Sequence, residues 1–241
     1  MTITSSHNQR LKEIRKLRMR RRERSKAARF VAEGEDLLAA ADEAGWEALE
    51  RYCAAGTGLP GIEVEPKLLA QASGLASGTR TLAVFQERWA PRARGPLCVY
   101  LHGVHDPGNV GAILRSAQAF GASSVAIGPG TADPYSPKAV RASMGAIFEV
   151  TLARANRPDE LPGESIALVT GQGEPLATAA AAASGHELAL MVGAEREGLP
   201  DDVIAGADVI AHIPIHTHSL NAAMAATVAL YEVTRMRPPN K

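Results

Sequence analysis

Apolar positions recur along this chain in two textures. In the first ninety residues they are spaced out. Leu11, Ile14 and Leu17 fall three residues apart, so the pattern predicts a helix over 7–24 with a narrow apolar stripe. Phe30-Val31-Ala32 predicts a short strand, and Glu33-Gly34-Glu35 opens a helix through Leu37, Leu38 and Ala41. Segments 48–53, 62–64 and 81–86 predict further strands, with a short helix after Pro66. From Leu97 onward the apolar residues gather into short continuous runs. Runs at 97–101, 124–127, 166–170, 188–192 and 209–213 predict buried strands, and helical patterns fall at 109–120, 137–144, 175–183 and 220–236. Strands alternating with helices imply a mostly parallel sheet covered on both faces. The fold class is therefore α/β: a small α/β unit over 1–90 and a larger domain over 97–241. Between them 90–96, with two prolines, a glycine and Arg92 and Arg94, reads as a solvated linker.

Composition narrows the class. Hydrophobic residues make up 46% and charged residues 22% of the 241, an ordinary balance for a soluble globular protein. No apolar run is long enough for a membrane helix, and the basic N-terminal segment has no apolar signal-peptide core behind it. Cys53 and Cys98 fall in different units and suggest neither a disulfide framework nor a metal site, which points to a reducing cytoplasm. The net charge of zero conceals an asymmetry. Between Arg10 and Arg29 eleven basic residues face only Glu13 and Glu23, nine net positive charges, so the remainder carries nine negative ones. A concentrated basic segment on an acidic chain points to a polyanion; a solvated helix face is the alternative.

Candidate chemistry collects where strands end. The first segment runs from His102 to Arg115. Asp106-Pro107-Gly108-Asn109 signals a turn, Asn109 reads as a helix cap, and the long arm of Arg115 leans back toward the helix start. The second is Val192-Gly193-Ala194-Glu195-Arg196-Glu197-Gly198, a glycine-bracketed acidic turn in which Glu195 can accept hydrogen bonds from a ligand. The third is Ile213-Pro214-Ile215-His216-Thr217-His218-Ser219-Leu220-Asn221. Ser219 reads as a helix cap there. Capping does not account for Asn221, and Leu220, Met224, Thr227 and Tyr231 read as a core-facing stripe. His102, His105, His212, His216 and His218 lack metal-ligand spacing, so no metal is assigned. Gly171-Gln172-Gly173 lacks the third glycine of a dinucleotide loop.

Together these segments resemble the three motifs of the SpoU-type methyltransferases of the SPOUT superfamily. Asn109, Gly111 and Arg115 match the first; Gly193, Glu195 and Gly198 the second; Ile213, Pro214, Ser219, Leu220 and Asn221 the third. Arg141-Ala142-Ser143-Met144-Gly145-Ala146 is similar to a further family segment, and the stretch between Ile215 and Ser219 is shorter than in familiar members. The opening Ile3-Thr4-Ser5, the basic helix and Phe30-Val31-Ala32-Glu33-Gly34 resemble the ribosomal-protein-like substrate-binding domain that many members carry.

The resemblance implies a trefoil knot in the C-terminal domain, S-adenosylmethionine as cofactor, a homodimer, and methyl transfer to a ribose 2′-hydroxyl. Structured RNA is the expected partner, with rRNA favoured over tRNA; a non-catalytic RNA-binding protein of the same fold is the other alternative. Arg115 is expected to hold the hydroxyl and stabilise developing alkoxide charge, with Asn109, Glu195, Ser219 and Asn221 completing the catalytic set. The proton acceptor stays open. The cofactor is assigned to Thr170, Gly171, Gly193, Ile213 and Leu220, and RNA contacts to Arg15, Arg18, Arg22 and Ser143.

Overall fold

The computed structural model describes residues 2–73, 78–183 and 186–236. In chain order the elements are α1 Gln9–Met19, α2 Arg21–Ala27, β1 Arg29–Glu33, α3 Glu35–Glu43, β2 Glu50–Ala54, β3 Ile62–Val64, α4 Pro66–Ser73, β4 Thr81–Gln86, β5 Leu97–Leu101, α5 Pro107–Ala119, β6 Ser124–Ile127, α6 Pro137–Ala142, α7 Ala146–Glu149, β7 Thr151–Arg154, β8 Glu164–Leu168, β9 Glu174–Pro175, α8 Leu176–Ala182, β10 Leu188–Val192, α9 Asp201–Ala205, β11 Val209–His212 and α10 Ala222–Arg235. They form two compact units, one of residues 1–87 with 133–148, the other of 88–132 with 149–241.

The first unit is a four-stranded sheet in the order β1-β4-β2-β3. Because side chains alternate along a strand, the two faces differ. Val31, Tyr52, Leu69 and Leu82 join Leu11, Ile14 and Leu17 of α1 in one mainly aliphatic core. Phe30 and Phe85 enter an aromatic cluster with Trp46, Tyr135 and Phe148, at centroid separations of 4.6 to 6.4 Å. Trp46 Nε1 also donates to the Phe148 carbonyl at 2.8 Å. The segment 133–148, which the apolar pattern groups with the second domain, thus folds with the first because its aromatic residues are buried there.

The expected continuous helix over 7–24 is broken. Arg20 is extended (φ −127°, ψ 111°), which separates α1 from α2. The break turns Arg24 inward, where its Nη1 donates to the carbonyls of Leu17 (2.7 Å) and Arg18 (3.2 Å) and its Nη2 pairs with Asp133 at 2.7 Å. An arginine thereby satisfies carbonyls at the end of α1 that have no helical partner. Two residues assigned to RNA are also turned inward. Arg18 pairs with the buried Glu33 and donates to the Ala72 carbonyl at 3.0 Å. Ser143 is fully buried and donates to the Val140 carbonyl at 2.7 Å. Neither side chain is available to a phosphate, because each already satisfies a polar group inside the unit. Arg15 is half-buried and donates to the Ser6 carbonyl at 3.2 Å, whereas Arg22 is exposed.

The second unit is a seven-stranded parallel sheet, order β7-β6-β5-β10-β8-β11-β9. β10 enters between β5 and β8, and β11 pairs on the far side of β8. α10 packs on α5, α8 and β10. β8 ends at Leu168, earlier than its apolar run predicts, because Gly171 and Gly173 turn the chain with φ of +67° and +69°. A Cβ on Gly173 would lie 1.9 Å from the Ile210 carbonyl oxygen.

The segment 90–96 belongs to the second unit and is less free than a solvated linker. Ala90 forms a bridge with Ala153, its N–H reaching the Leu152 carbonyl at 2.7 Å; Ala93 is buried, and the Ser124 hydroxyl bonds both the N–H and the carbonyl of Arg94.

Candidate active site

All the strands of the second sheet are parallel, so the chains leaving β5, β8, β10 and β11 emerge at one end, the carboxyl end where ligands of such sheets bind. A cavity of about 340 Å³ lies there. Thr170, Gly193, Glu195, Ile213, Ser219 and Leu220 all line it. So do Ile215 and His218 of the third segment, which had no assigned role, and residues that the spacing did not single out: Leu168, Val169, Leu199 and Ile204 as apolar wall, and Gln172. Leu168 and Val169 are signalled only by their place at the end of β8, and Leu199 and Ile204 carry no sequence signal. Gly171 lies beside the cavity without lining it.

Each loop is held by local chemistry. After β10 the chain makes a tight turn: Ala194 and Gly198 exchange two backbone hydrogen bonds of 3.0 Å each, with Gly198 at φ +70°. A Cβ on Gly193 would stand 2.2 Å from the Gly198 carbonyl carbon, so only glycine fits opposite. After β5, the Asp106 side chain caps α5 by accepting from the Gly108 N–H. Asp106 is therefore the cap that was expected at Asn109. Asn109 lies in the first helical turn, and its side chain is free to point elsewhere.

It points at the other two loops. Asn109 Nδ2 donates to Glu195 Oε1, and Asn221 Nδ2 donates to Asn109 Oδ1 at 3.1 Å. Asn221 Oδ1 in turn accepts from the N–H groups of Ala223 (3.0 Å) and Met224 (3.3 Å) and caps α10. The cap expected at Ser219 thus belongs to Asn221; Ser219 is exposed on the cavity rim. Three loops distant in sequence are joined as Asn221–Asn109–Glu195.

Arg115 is exposed on α5 and does not line the cavity. The expected core stripe of α10 is also reversed. Met224 and Tyr231 are 62% and 54% exposed, while Ala222, Ala226, Leu230 and Val233 face the interior. The inner face carries Ala222, Ala223, Ala226 and Ala229 where α10 packs on α5, α8 and β10, with Leu230 and Val233 as its larger members.

Beneath the β5 loop, Tyr100 and His102 lie on one face of the strand with Oη and Nδ1 2.9 Å apart. Burial pushes the Tyr100 phenol up to about 12 and lowers the His102 imidazole, so both are neutral near pH 7. Neither lines the cavity. Among the described residues, no three His, Cys, Asp or Glu side chains are grouped to hold a metal ion, and no helix is long and apolar enough to cross a membrane.

Comparison with known proteins adds an independent line. Residues 96–231 match the model of the SpoU rRNA Methylase family, and residues 8–87 match an MRM3-like substrate binding domain. The chain is 29% identical, over 96% of its length and 98% of the relative's, to the 23S rRNA (guanosine(2553)-2′-O)-methyltransferase RlmP of Bacillus subtilis. It is similar to the crystal structure of an AdoMet-bound rRNA methyltransferase from Sinorhizobium meliloti (TM-score 0.86, 29% identity, 98% and 97% coverage). It is also similar to the SpoU methyltransferase AviRb from Streptomyces viridochromogenes in complex with AdoMet (TM-score 0.81, 25% identity, 95% and 98% coverage).

Proposed function

The chain belongs to the SpoU rRNA methylase family, and from that premise we propose that it transfers a methyl group from S-adenosylmethionine to a ribose 2′-hydroxyl of rRNA. The observation that carries this reading is the chain Asn221–Asn109–Glu195, which brings the three motif loops together beside one cavity. Relatives named as rRNA 2′-O-methyltransferases favour rRNA over tRNA.

The cavity fits the cofactor by its chemistry. Leu168, Ile204, Ile213 and Leu220 offer apolar surface to an adenine, and Thr170 and Glu195 offer polar groups to a ribose and an amino-acid end. S-adenosylmethionine, once bound, supplies a methyl group on a positively charged sulfur. This chain's own residues orient and protect. Glu195 is held by the Asn109 amide, so its carboxylate keeps one direction. Arg115, a permanent cation exposed more than two turns into α5, binds the phosphate beside the target ribose and stabilises negative charge growing on the 2′-oxygen. Alignment of an in-line displacement supplies much of the rate enhancement.

The same reading includes a homodimer through α10, supported by its exposed Met224, Val228 and Tyr231. It also includes a trefoil knot around the inserted β10 and a cytoplasmic location, where ribosomes are assembled. The test is mass spectrometry of rRNA and tRNA nucleosides from a deletion strain. One missing 2′-O-methyl group in rRNA is the expected result; a loss confined to tRNA redirects the substrate, and unchanged nucleosides in both overturn the activity.

A further inference from the structure

The second unit carries ten basic against thirteen acidic residues, yet five of its arginines fall in two short stretches without a carboxylate, 88–94 and 154–157. We propose that Arg92, Arg94 and Arg154 form a rigid ridge that grips the phosphate backbone of the RNA away from the target nucleotide. The inference rests on the methyltransferase reading above for the identity of the polyanion.

Three observations carry it. The first is convergence: all three arginines border one concavity of about 590 Å³, which shares no lining residue with the active-site cavity. It is bordered by the segments that precede β5 and β8, by Arg154 of β7 and by Glu187 just ahead of β10, whereas the active site lies beyond the carboxyl ends of β8, β10 and β11. The second is rigidity. The backbone that bears Arg92 and Arg94 is anchored at Ala90 on β7, at the buried Ala93, and at the Ser124 hydroxyl. Arg92 and Arg94 flank Ala93 in sequence, so burying Ala93 leaves both side chains exposed. Arg154 is held with its guanidinium carbon 4.2 Å from the centre of the Trp89 ring. Guanidinium groups on a preorganised backbone lose little freedom on binding, and their planar forks match phosphate oxygens.

The third observation is charge. The concavity is also bordered by Asp159, Glu160 and Glu187. Asp159 is paired with Arg157, and Glu160 accepts the Asn156 N–H at 2.9 Å. A neutral amide leaves the Glu160 charge in place, so among the described residues Glu160 and Glu187 oppose three cations, one positive charge in excess. An anionic partner is favoured.

The test uses the full chain and an unmodified 23S rRNA transcript, with methyl transfer from labelled S-adenosylmethionine and RNA binding by fluorescence anisotropy across a salt series. The variant is Arg92→Gln/Arg94→Gln/Arg154→Gln, checked for an unchanged melting temperature. The expected result is a KM raised about tenfold with kcat preserved at saturation. The slope of log affinity against log salt should flatten by about 2, near 0.7 for each lost contact. A variant with wild-type KM and slope overturns the ridge while wild-type activity keeps the function intact. If a melting-temperature loss clouds that variant, Arg92→Glu alone, on an exposed side chain, must raise KM and flatten the slope by itself; if it does neither, the ridge is again overturned. A wild-type chain that neither binds nor methylates the transcript overturns both.

Discussion

Asn221 has two separable roles on one amide: its Oδ1 caps α10 through Ala223 and Met224, and its Nδ2 reaches Asn109 Oδ1 at 3.1 Å. The helix cap and the link to the first motif loop therefore move together. Asn221→Ser keeps a capping oxygen but is too short to reach Asn109. It is expected to retain stability within about 0.5 kcal/mol while lowering kcat. Asn221→Ala should lose about 1 kcal/mol of stability as well. Denaturant titration beside steady-state kinetics separates the two roles; equal turnover in wild type and the serine variant would remove the link from catalysis.

Glu195 is expected to behave as a fixed acceptor rather than a charge alone. Glu195→Gln leaves the carbonyl oxygen that can take the Asn109 amide, whereas Glu195→Ala leaves that donor unpaired. The pair is half-buried, so the unpaired donor costs less than a fully buried one, whose penalty is about 1–3 kcal/mol. Calorimetric S-adenosylmethionine affinity should fall more in the alanine variant than in the glutamine variant, and the reverse order would contradict the geometry.

Arg115 is exposed and does not line the cavity, so its loss should spare cofactor binding. Arg115→Ala is expected to lower kcat by about 10² to 10⁴. Arg115→Lys should recover little, because a point charge does not replace a planar fork. Near-wild-type turnover in either variant would take Arg115 out of the reaction.

The Arg24–Asp133 pair ties α2 to the segment 133–148 with side chains only 5% and 12% exposed. Removing one partner of a buried pair is expected to cost about 3–5 kcal/mol. Asp133→Ala should therefore lower the melting temperature sharply, and a fragment starting at Gly95 should expose Tyr135 and Phe148 and bind a hydrophobic dye. A fragment with fixed tertiary structure by near-ultraviolet circular dichroism would show that 133–148 does not need residues 1–87.

The bend between α1 and α2 exposes Lys16, Arg20, Arg21, Arg22 and Lys26, while Arg18 and Arg24 are satisfied internally. Reversing Arg20, Arg21 and Arg22 to glutamate should flatten the RNA-binding salt slope by about 2 and raise KM with kcat unchanged. The Arg18→Glu change should instead unfold the protein, since it places a second carboxylate beside Glu33. Thermal melts and salt titrations distinguish these outcomes.

Local pattern alone determined much of this protein. The runs at 97–101, 124–127 and 188–192 coincide with β5, β6 and β10, because a strand buried on both faces must be apolar throughout. The motif glycines were legible for a similar reason: a Cβ at Gly193 would meet the Gly198 carbonyl, and Gly198 turns with a positive φ that side chains disfavour. Four decisions needed the tertiary structure. Asp106 caps α5 and the Asn109 amide is drawn to Glu195, a residue distant in sequence, while α10 starts late enough for Asn221 to cap it. Met224 and Tyr231 face outward because the packing of α10 on α8, α5 and β10 buries the other face, that of Ala222, Ala226, Leu230 and Val233. Arg18 and Arg24 turn inward because Glu33 and Asp133 wait there. Segment 133–148 joins the first unit because the aromatic residues that bury Tyr135 and Phe148 lie there. A period in the sequence records which residues share a face of one element; which neighbour covers that face depends on contacts between residues far apart in the chain.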